Sequence, residues 1–334
     1  MSAQRVAVLA GGRSSEHDVS LASGASVADG LRAAGHDVTE IEIGRDGIWR
    51  RDGESISVAL GAGLPGFDVV FPVLHGPFGE DGTVQGLLEC MDVPYVGAGV
   101  LASALCMNKV LFKQLMAQVG IPQVSYRAVD QLEYESDPAA VARAVEELGY
   151  PVFVKPARLG SSVGIARVAT AADLPPALQA AFGHDPLAIV EVSADGREVE
   201  CSVIGNGDPI ASQPGEIMLA AGEDGWYDYE AKYTPGGMQL IVPARVEPEV
   251  RERVRELAVQ AFVKSGCAGL ARVDFFVLRD GEVLVNELNT MPGFTETSVF
   301  GSLFAVSGVP YPELLDRLVG LALERYASER AHRY

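Results

Sequence analysis

The sequence predicts an α/β protein whose N-terminal part is a parallel sheet covered by helices on both faces. Three observations carry this. Apolar strand-like runs alternate with a segment of helical period: Val6 to Leu9, Asp18 to Ala34, His36 to Ile43, then Phe67 to Leu74. The first and last of these strands lead into Gly-rich loops, Gly11 to His17 and His75 to Gly82. An open α/β sheet carries its functional loops at such carboxyl strand ends. Far along the chain, Ala271 to Phe276 and Val283 to Thr295 are apolar runs one strand-turn-strand apart, and they carry oxygen-bearing side chains at strand spacing.

The elements follow in order. Val6 to Leu9 has the unbroken apolar character of a buried parallel strand. Asp18 to Ala34 repeats apolar residues at helical spacing and stops at Gly35. Leu101 to Val119 reads as one helix stopped by Gly120 and Pro122, and Val141 to Leu148 as another ending at Gly149. Pro151 to Pro156 is a short strand that delivers Lys155 to the glycine-rich hairpin Gly160 to Gly164, with a further strand after it. Ala188 to Glu191 is a strand ending in an acid, and Arg197 to Ile204 an alternating one. Gly222 to Pro235, with Trp226, Tyr227, Tyr229 and Tyr233, is too long for a turn and reads as a lid. Glu249 to Ser265 is an amphipathic helix, Tyr311 to Tyr326 a C-terminal helix, and Ala327 to Tyr334 a frayed tail.

A chain of 334 residues has room for two or three cores, and 48% apolar with 21% charged residues describes an ordinary globular protein. The net charge of -19 argues against a nucleic-acid surface, which needs a basic stripe. It leaves room for an anionic substrate held by a few local cations and a metal. Cys90, Cys106, Cys201 and Cys267 form no CxxC pair and read as reduced core thiols. No signal-type apolar segment or membrane-length run of about 18 to 20 apolar residues is present, so the expectation is a cytoplasmic protein.

The chemistry concentrates on the late strand pair. Glu287 and Asn289 share a strand face, and Asp274 joins them from the neighbouring strand. These hard oxygen donors suit Mg2+, which sits between carboxylates and substrate phosphates. Arg272 shares Asp274's face and is suited to a bidentate grip on phosphate or carboxylate. Pro292-Gly293 lets backbone amides approach an oxyanion. The hairpin's backbone N–H groups and Ser161 and Ser162 could cradle phosphates, although Lys155 precedes the glycines, so it is no Walker A loop. Lys155 ends an apolar strand and needs an anionic partner, while Lys109 alone reads equally as an exposed helix lysine. Glu191 and Glu198 flank a strand-to-strand hinge where acids could accept from adenine or ribose, or be plain surface acids. Glu16 could be only a helix N-terminal acid, and a lone His75 is more often structural.

Together these motifs resemble the ATP-grasp superfamily and, within it, the D-alanine–D-alanine ligase family. The matching runs are Gly11 to Ser20, His75 to Gly82, Val154 to Pro156 with Gly160 to Gly164, Tyr227 to Tyr233, Ala271 to Phe276 and Asn286 to Thr295. They cover nearly the whole chain in family order. The resemblance implies an ATP-grasp fold: an N-terminal Rossmann-like parallel-sheet domain (1–100), a central ATP-lid domain (101–190) and a C-terminal α+β catalytic domain (191–334). It implies ATP-driven joining of two D-alanines through a D-alanyl phosphate. By analogy, Glu16 holds the first substrate's ammonium, oriented by Ser161 and Tyr233, with His75 near its carboxylate. Lys109, Lys155, Ser162 and Lys232 take ATP phosphates, and Glu191 and Glu198 the adenine and ribose. Asp274, Glu287 and Asn289 hold two Mg2+ ions, with Mn2+ as a substitute. Arg272 and the Gly293 amide stabilise the oxyanion, and Ser298 binds the second substrate's carboxylate. A homodimer without nucleic-acid or membrane partners is implied as well. The alternatives are a D-serine- or D-lactate-adding ligase or an inhibitor-resistant copy.

Three departures from the family pattern stand out. Asn108 replaces an Asp before Lys109 and reads as a minor helix detail. Arg158 replaces an Asn before the hairpin and adds a positive charge near phosphates or substrate. Ser298 to Phe304 lacks the Pro and Lys common at Gly301 and Ser302, which predicts a softer loop and altered second-substrate or inhibitor sensitivity.

Overall fold

The computed structural model of the chain describes residues 2–160, 163–219, 237–295 and 298–332. The N-terminal part comprises β1 (Arg5–Gly11), α1 (His17–Ala33), β2 (Asp37–Ile43), β3 (Trp49–Arg51), β4 (Glu54–Ser55), β5 (Val69–Pro72) and α2 (Thr83–Met91). The sheet order is β4-β3-β2-β1-β5, with β1 parallel to β2 and β5 and an antiparallel edge at β3 and β4. Alternation along β1 explains its unbroken apolar run. Val6 and Val8 enter one core with Val27, Leu31 and Phe71, while Ala7 and Leu9 enter the opposite core with Ile41, Val84 and Leu88. Each fully buried Val, Leu, Ile or Phe among these is worth about 1.5–3 kcal/mol. A Cβ at Gly24 would lie 2.5 Å from the Ala10 Cβ, so glycine is what lets α1 lie this close to β1.

The segment expected as one helix is two: α3 (Val100–Met107) and α4 (Lys109–Gln118), bent by 101° at their junction. Asn108 leaves the helical region at φ -87, ψ 97. Its Oδ1 accepts from the backbone N–H of Val110 at 3.1 Å and of Leu111 at 3.2 Å. Asn108 is therefore the N-cap of α4, a role that Asp fills equally well. Continuous apolar periodicity on either side hid a break that one side-chain acceptor makes. Ala102, Cys106, Phe112 and Met116 pack this pair into the core of the C-terminal sheet.

The central part contains β6 (Tyr126–Asp130), α5 (Gln131–Ser136), α6 (Pro138–Glu146), β7 (Val152–Pro156), β8 (Ala166–Val168), α7 (Leu174–Phe182) and β9 (Leu187–Val192). Its antiparallel sheet runs β6-β9-β7-β8. The last part contains β10 (Gly196–Gly205), β11 (Ile210–Ala211), β12 (Gly215–Leu219), β13 (Met238–Ile241), α8 (Pro248–Lys264), β14 (Gly269–Leu278), β15 (Val283–Asn289), α9 (Val299–Val306) and α10 (Tyr311–Arg330). Its sheet runs β13-β12-β10-β14-β15, again antiparallel, with β11 beside β10.

Two C-terminal expectations are corrected. Residues 299–306 are a helix, not a softened loop, because Val299, Phe300, Leu303 and Phe304 share one buried face. The tail does not fray after Tyr326: α10 continues to Arg330, whose Nε donates to Asp92 Oδ1 at 2.7 Å beside the Tyr326 hydroxyl at 3.0 Å. Among the described residues no single helix is long and apolar enough to cross a membrane.

Replacing Asn108 by Ala is expected to cost about 1 kcal/mol through loss of the cap, while Asp should keep it. Urea unfolding of both variants checks this, and equal midpoints for Ala and Asp would count against the capping role.

Candidate active site

A bulge sets the faces of the late strand pair. Asp274 pairs Glu287, but its neighbour Phe275 pairs Val285, so Asn286 is an extra residue on β15. Strict alternation would put Val283, Val285, Glu287 and Asn289 on one face. The bulge sends Val283, Val285 and Leu288 into the core with Val273 and Phe275, while Glu287 and Asn289 turn toward Arg272 and Asp274. Arg272 Nε and Nη2 donate to the two Asp274 carboxylate oxygens at 2.7 Å each, and Nε also lies 2.9 Å from Glu200 Oε2. Asn289 Nδ2 donates to Asp274 Oδ2 at 3.0 Å. Burial works against the Arg272 charge, but Asp274 and Glu200 outweigh it and hold its pKa well above the ordinary value.

The break at Asn108 aims the start of α4 at this face. Lys109 is buried there, not exposed; its Nζ donates to Leu159 O at 2.7 Å and lies 3.5 Å from Glu287 Oε2. Lys155 at the end of β7 lies 2.5 Å from Glu191 Oε2, and Lys113, one turn beyond Lys109, lies 3.0 Å from Glu191 Oε1. Burial alone would raise the Glu191 carboxyl, but Lys113 and Lys155 outweigh it and hold it at about 2. Burial pulls Lys113 down, whereas Glu191 overcomes burial at Lys155 and raises it. Glu191 is therefore not a plain surface acid: its carboxylate is buried between two lysines. Glu198 lies on the exposed side of β10. Arg158 adds no free charge to the cleft, because Asp185 grips it, with Nη2 2.5 Å from Oδ1.

The N-terminal loops close the other wall. Glu16 is buried, and its backbone N–H donates to Ser14 Oγ at 3.2 Å while that hydroxyl donates to His75 O at 2.7 Å. A Cβ on Gly76, at φ 70, would stand 2.6 Å from Glu16 Oε2, and one on Gly160 would stand 3.9 Å from Oε1. The Glu16 carboxylate thus lies between the second loop and the phosphate hairpin. His75 Nδ1 lies 3.1 Å from Met291 O. Burial pushes its imidazole down to about 4, and burial followed by the Glu16 charge pushes the Glu80 carboxyl up to about 8. Beyond Gly293, Ser298 Oγ accepts from Thr295 N–H at 2.9 Å and contacts Thr295 Oγ1 at 2.8 Å. A cavity of about 100 Å³ opens between Glu16, His75, Arg272, Glu287, Asn289 and Gly293.

Ser161, Ser162, Lys232, Tyr233 and the expected lid lie outside the described residues. Sequence reasoning missed Lys113, Glu80 and Ser23. Lys113 had a signal, since i+4 from Lys109 places it on the same helix face. Glu80 sat in a quoted motif without a role. Ser23 looked like an ordinary helix residue.

The family models described as D-ala D-ala ligase N-terminus and C-terminus match residues 5–63 with 60–98, and 115–320. The D-alanine–D-alanine ligase of Deinococcus radiodurans is 47% identical, covering 96% of this chain and 99% of that protein. The Geobacillus kaustophilus ligase of the same name is 44% identical, covering 99% and 97%. Among solved structures, the D-alanine-D-alanine ligase of Coxiella burnetii matches with a TM-score of 0.88 at 34% identity, over 99% of this chain and 97% of that one. The VanG D-Ala:D-Ser ligase of Enterococcus faecalis matches with a TM-score of 0.86 at 35% identity, over 96% and 100%.

These shifted groups give stability a defined pH dependence. Glu191, held near 2 against an ordinary 4.5, stabilises above 4.5 and loses that contribution as pH falls through 2. His75, held near 4 against 6.5, loses its contribution as pH falls from 6.5 to 4. Glu80, raised to about 8, contributes most below 4.5 and loses it as pH rises through 8. Stability should fall on both sides of a plateau between 4.5 and 6.5, where the His75 and Glu80 trends oppose. Urea midpoints across pH should show the alkaline decline in wild type and a weaker one in Glu80→Gln; an unchanged decline would rule out Glu80 as its source.

Proposed function

The chain belongs to the D-alanine–D-alanine ligase family, and from that premise we propose how its own residues run the reaction. The enzyme is an ATP-dependent ligase that makes D-alanyl-D-alanine for peptidoglycan synthesis. The observation that carries the residue assignment is the meeting of Glu16, Arg272, Glu287, Asn289 and Gly293 around one cavity of about 100 Å³.

The γ-phosphoryl group passes from ATP to the carboxylate of the first D-alanine, and ADP leaves. The amine of the second D-alanine attacks the acyl carbon, forming a tetrahedral oxyanion. Collapse expels phosphate, the amine loses its proton, and the peptide bond remains. Such phosphoryl transfer needs positioning and charge neutralisation more than covalent help. Glu16 offers a buried carboxylate to the first ammonium, and Ser161 and Tyr233 orient it. His75 lies at the carboxylate end of that subsite. Lys109, Lys155 and Lys232 with the Ser162 hairpin take the phosphates. Glu198 receives the ribose, while Glu191 serves as the counter-ion that orients Lys155. Arg272 and the Gly293 N–H face the oxyanion, and Ser298 takes the second carboxylate.

Two Mg2+ ions complete this proposal. Asp274, Glu287 and Asn289 offer two carboxylates and an amide oxygen on one bulged face, a hard donor set that fits Mg2+. Bound there, the ions would neutralise phosphate charge. A homodimer in the cytoplasm belongs to the same proposal and rests on the family alone. D-Serine or D-lactate as second substrate is not favoured, since the curated relatives at 44–47% identity are D-alanine–D-alanine ligases.

Phosphate release with ATP, Mg2+ and D-alanine, with product mass, tests the assignment against L-alanine, D-serine and D-lactate. D-Alanyl-D-alanine is the expected product. Lys155→Ala and Arg272→Ala should each lower kcat by roughly 10²–10³-fold, the scale of losing one preorganised charge donor. Glu16→Gln should raise the KM of the first D-alanine more than that of ATP. A mixed product formed only with D-serine would overturn the substrate assignment.

A further inference from the structure

Three side-chain contacts converge on the short turn that carries the Gly293 amide, and a fourth joins two of the side chains that make them. Met291 N–H donates to Glu80 Oε1 at 3.3 Å, and Met291 O lies 3.1 Å from His75 Nδ1. On the far side of Pro292-Gly293, Phe294 N–H donates to Ser23 Oγ at 3.3 Å. Ser23 Oγ also lies 3.2 Å from His75 Nε2. Ser23 is fully buried, and Met291, Phe294 and His75 are buried with it.

Donor and acceptor counting gives this network one direction. A carbonyl only accepts, so the proton of neutral His75 sits on Nδ1 and is donated to Met291 O. Nε2 is then an acceptor. The Ser23 oxygen accepts from Phe294 N–H and donates its own hydrogen to Nε2. The opposite tautomer would set two acceptors against each other at Met291. Burial, which favours neutral imidazole, agrees with this reading. Glu80 is itself fixed by Gly76 N–H at 2.7 Å. The Phe294 carbonyl accepts from the Tyr311 hydroxyl at 3.0 Å, and its ring packs on Phe71 and Phe300 at centroid distances of 5.6 and 5.2 Å.

We infer that Ser23 is a positioning residue: through His75 and together with Glu80, it fixes the peptide groups on both sides of Pro292-Gly293 and so holds the Gly293 amide at the reacting centre. Ser23 touches no reacting atom. It acts from α1 of the N-terminal sheet on a turn of the C-terminal one. A preorganised amide stabilises charge only when it cannot relax away, and small misplacements are costly. The inference rests on the ligase reading above, because it needs an oxyanion for the amide to meet.

The test is Ser23→Ala, with Glu80→Gln as a second variant. Steady-state constants are measured beside affinity for a phosphinate dipeptide that mimics the tetrahedral intermediate. Losing one preorganising contact is expected to lower kcat by roughly 10-fold in Ser23→Ala and less in Glu80→Gln, with D-alanine and ATP KM within about two-fold. Phosphinate affinity should fall by the same factor as kcat, which a merely structural defect would not produce. Unchanged kcat, or a kcat loss with unchanged phosphinate affinity, overturns the inference. If Ser23→Ala does not melt cooperatively, Glu80→Gln decides by the same two criteria. Wild-type protein that makes no D-alanyl-D-alanine would instead sink the ligase reading.

Discussion

Charge burial is the constraint on which this molecule depends. A cleft for phosphates and carboxylates must hold cations away from bulk water, and an unpaired buried charge costs several kcal/mol. The chain therefore sets each of these cations against a buried or half-buried acid. Lys113 and Lys155 share Glu191, Lys109 faces Glu287, and Arg272 lies between Asp274 and Glu200. A net charge of -19 is compatible with anionic substrates because the local balance, not the total, sets the potential in the cleft. Lys155 and Lys109 are thus held in place by the internal carboxylates of Glu191 and Glu287.

Those pairs exist only because the backbone aims them. A regular β15 would drive Glu287 and Asn289 into the apolar core beside Val285. One extra residue, Asn286, rotates them to the opposite face without breaking the strand. The cap at Asn108 does the same for Lys109, turning a continuous apolar segment into two helices so that the lysine begins the second. Both devices are local departures from periodicity at the place where chemistry needs a side chain redirected.

The same devices explain what the sequence made legible. The parallel N-terminal sheet was readable from Val6 to Leu9 and Phe67 to Leu74, because strands buried on both faces need unbroken apolar runs. Asp274, Glu287 and Asn289 were readable as one face because Glu287 and Asn289 lie two residues apart and Asp274 sits on the neighbouring strand. Asn108 was not, because a single capping acceptor leaves no mark on hydrophobic period. Short strands such as β4 and β11 are two residues long, too brief to show alternation. The continued C-terminal helix escaped because its anchor, Asp92, is distant in sequence. The burial of Glu191 escaped for a related reason: a strand-end acid looks solvated until two lysines from other elements fold onto it.

Helix α1 shows how far the N-terminal sheet reaches into the chemistry. Its buried face carries Ser20, Ser23 and Gly24. Gly24 brings the helix against β1, and that closeness puts the two hydroxyls within reach of backbone that a bulkier face would hold away. Ser20 Oγ accepts from Gly11 N–H at 2.8 Å and donates to Val73 O, tying together the carboxyl ends of β1 and β5. Ser23, one turn on, reaches His75 and Phe294. At Gly24 even a methyl would collide with Ala10, so this face has no room there for a larger apolar residue. The two serines give directional bonds to the loops that bear Glu16, His75 and Gly293. The polar face of α1 is therefore part of the active-site scaffold, and the N-terminal sheet does more than carry a substrate loop: it sets where the C-terminal turn stands.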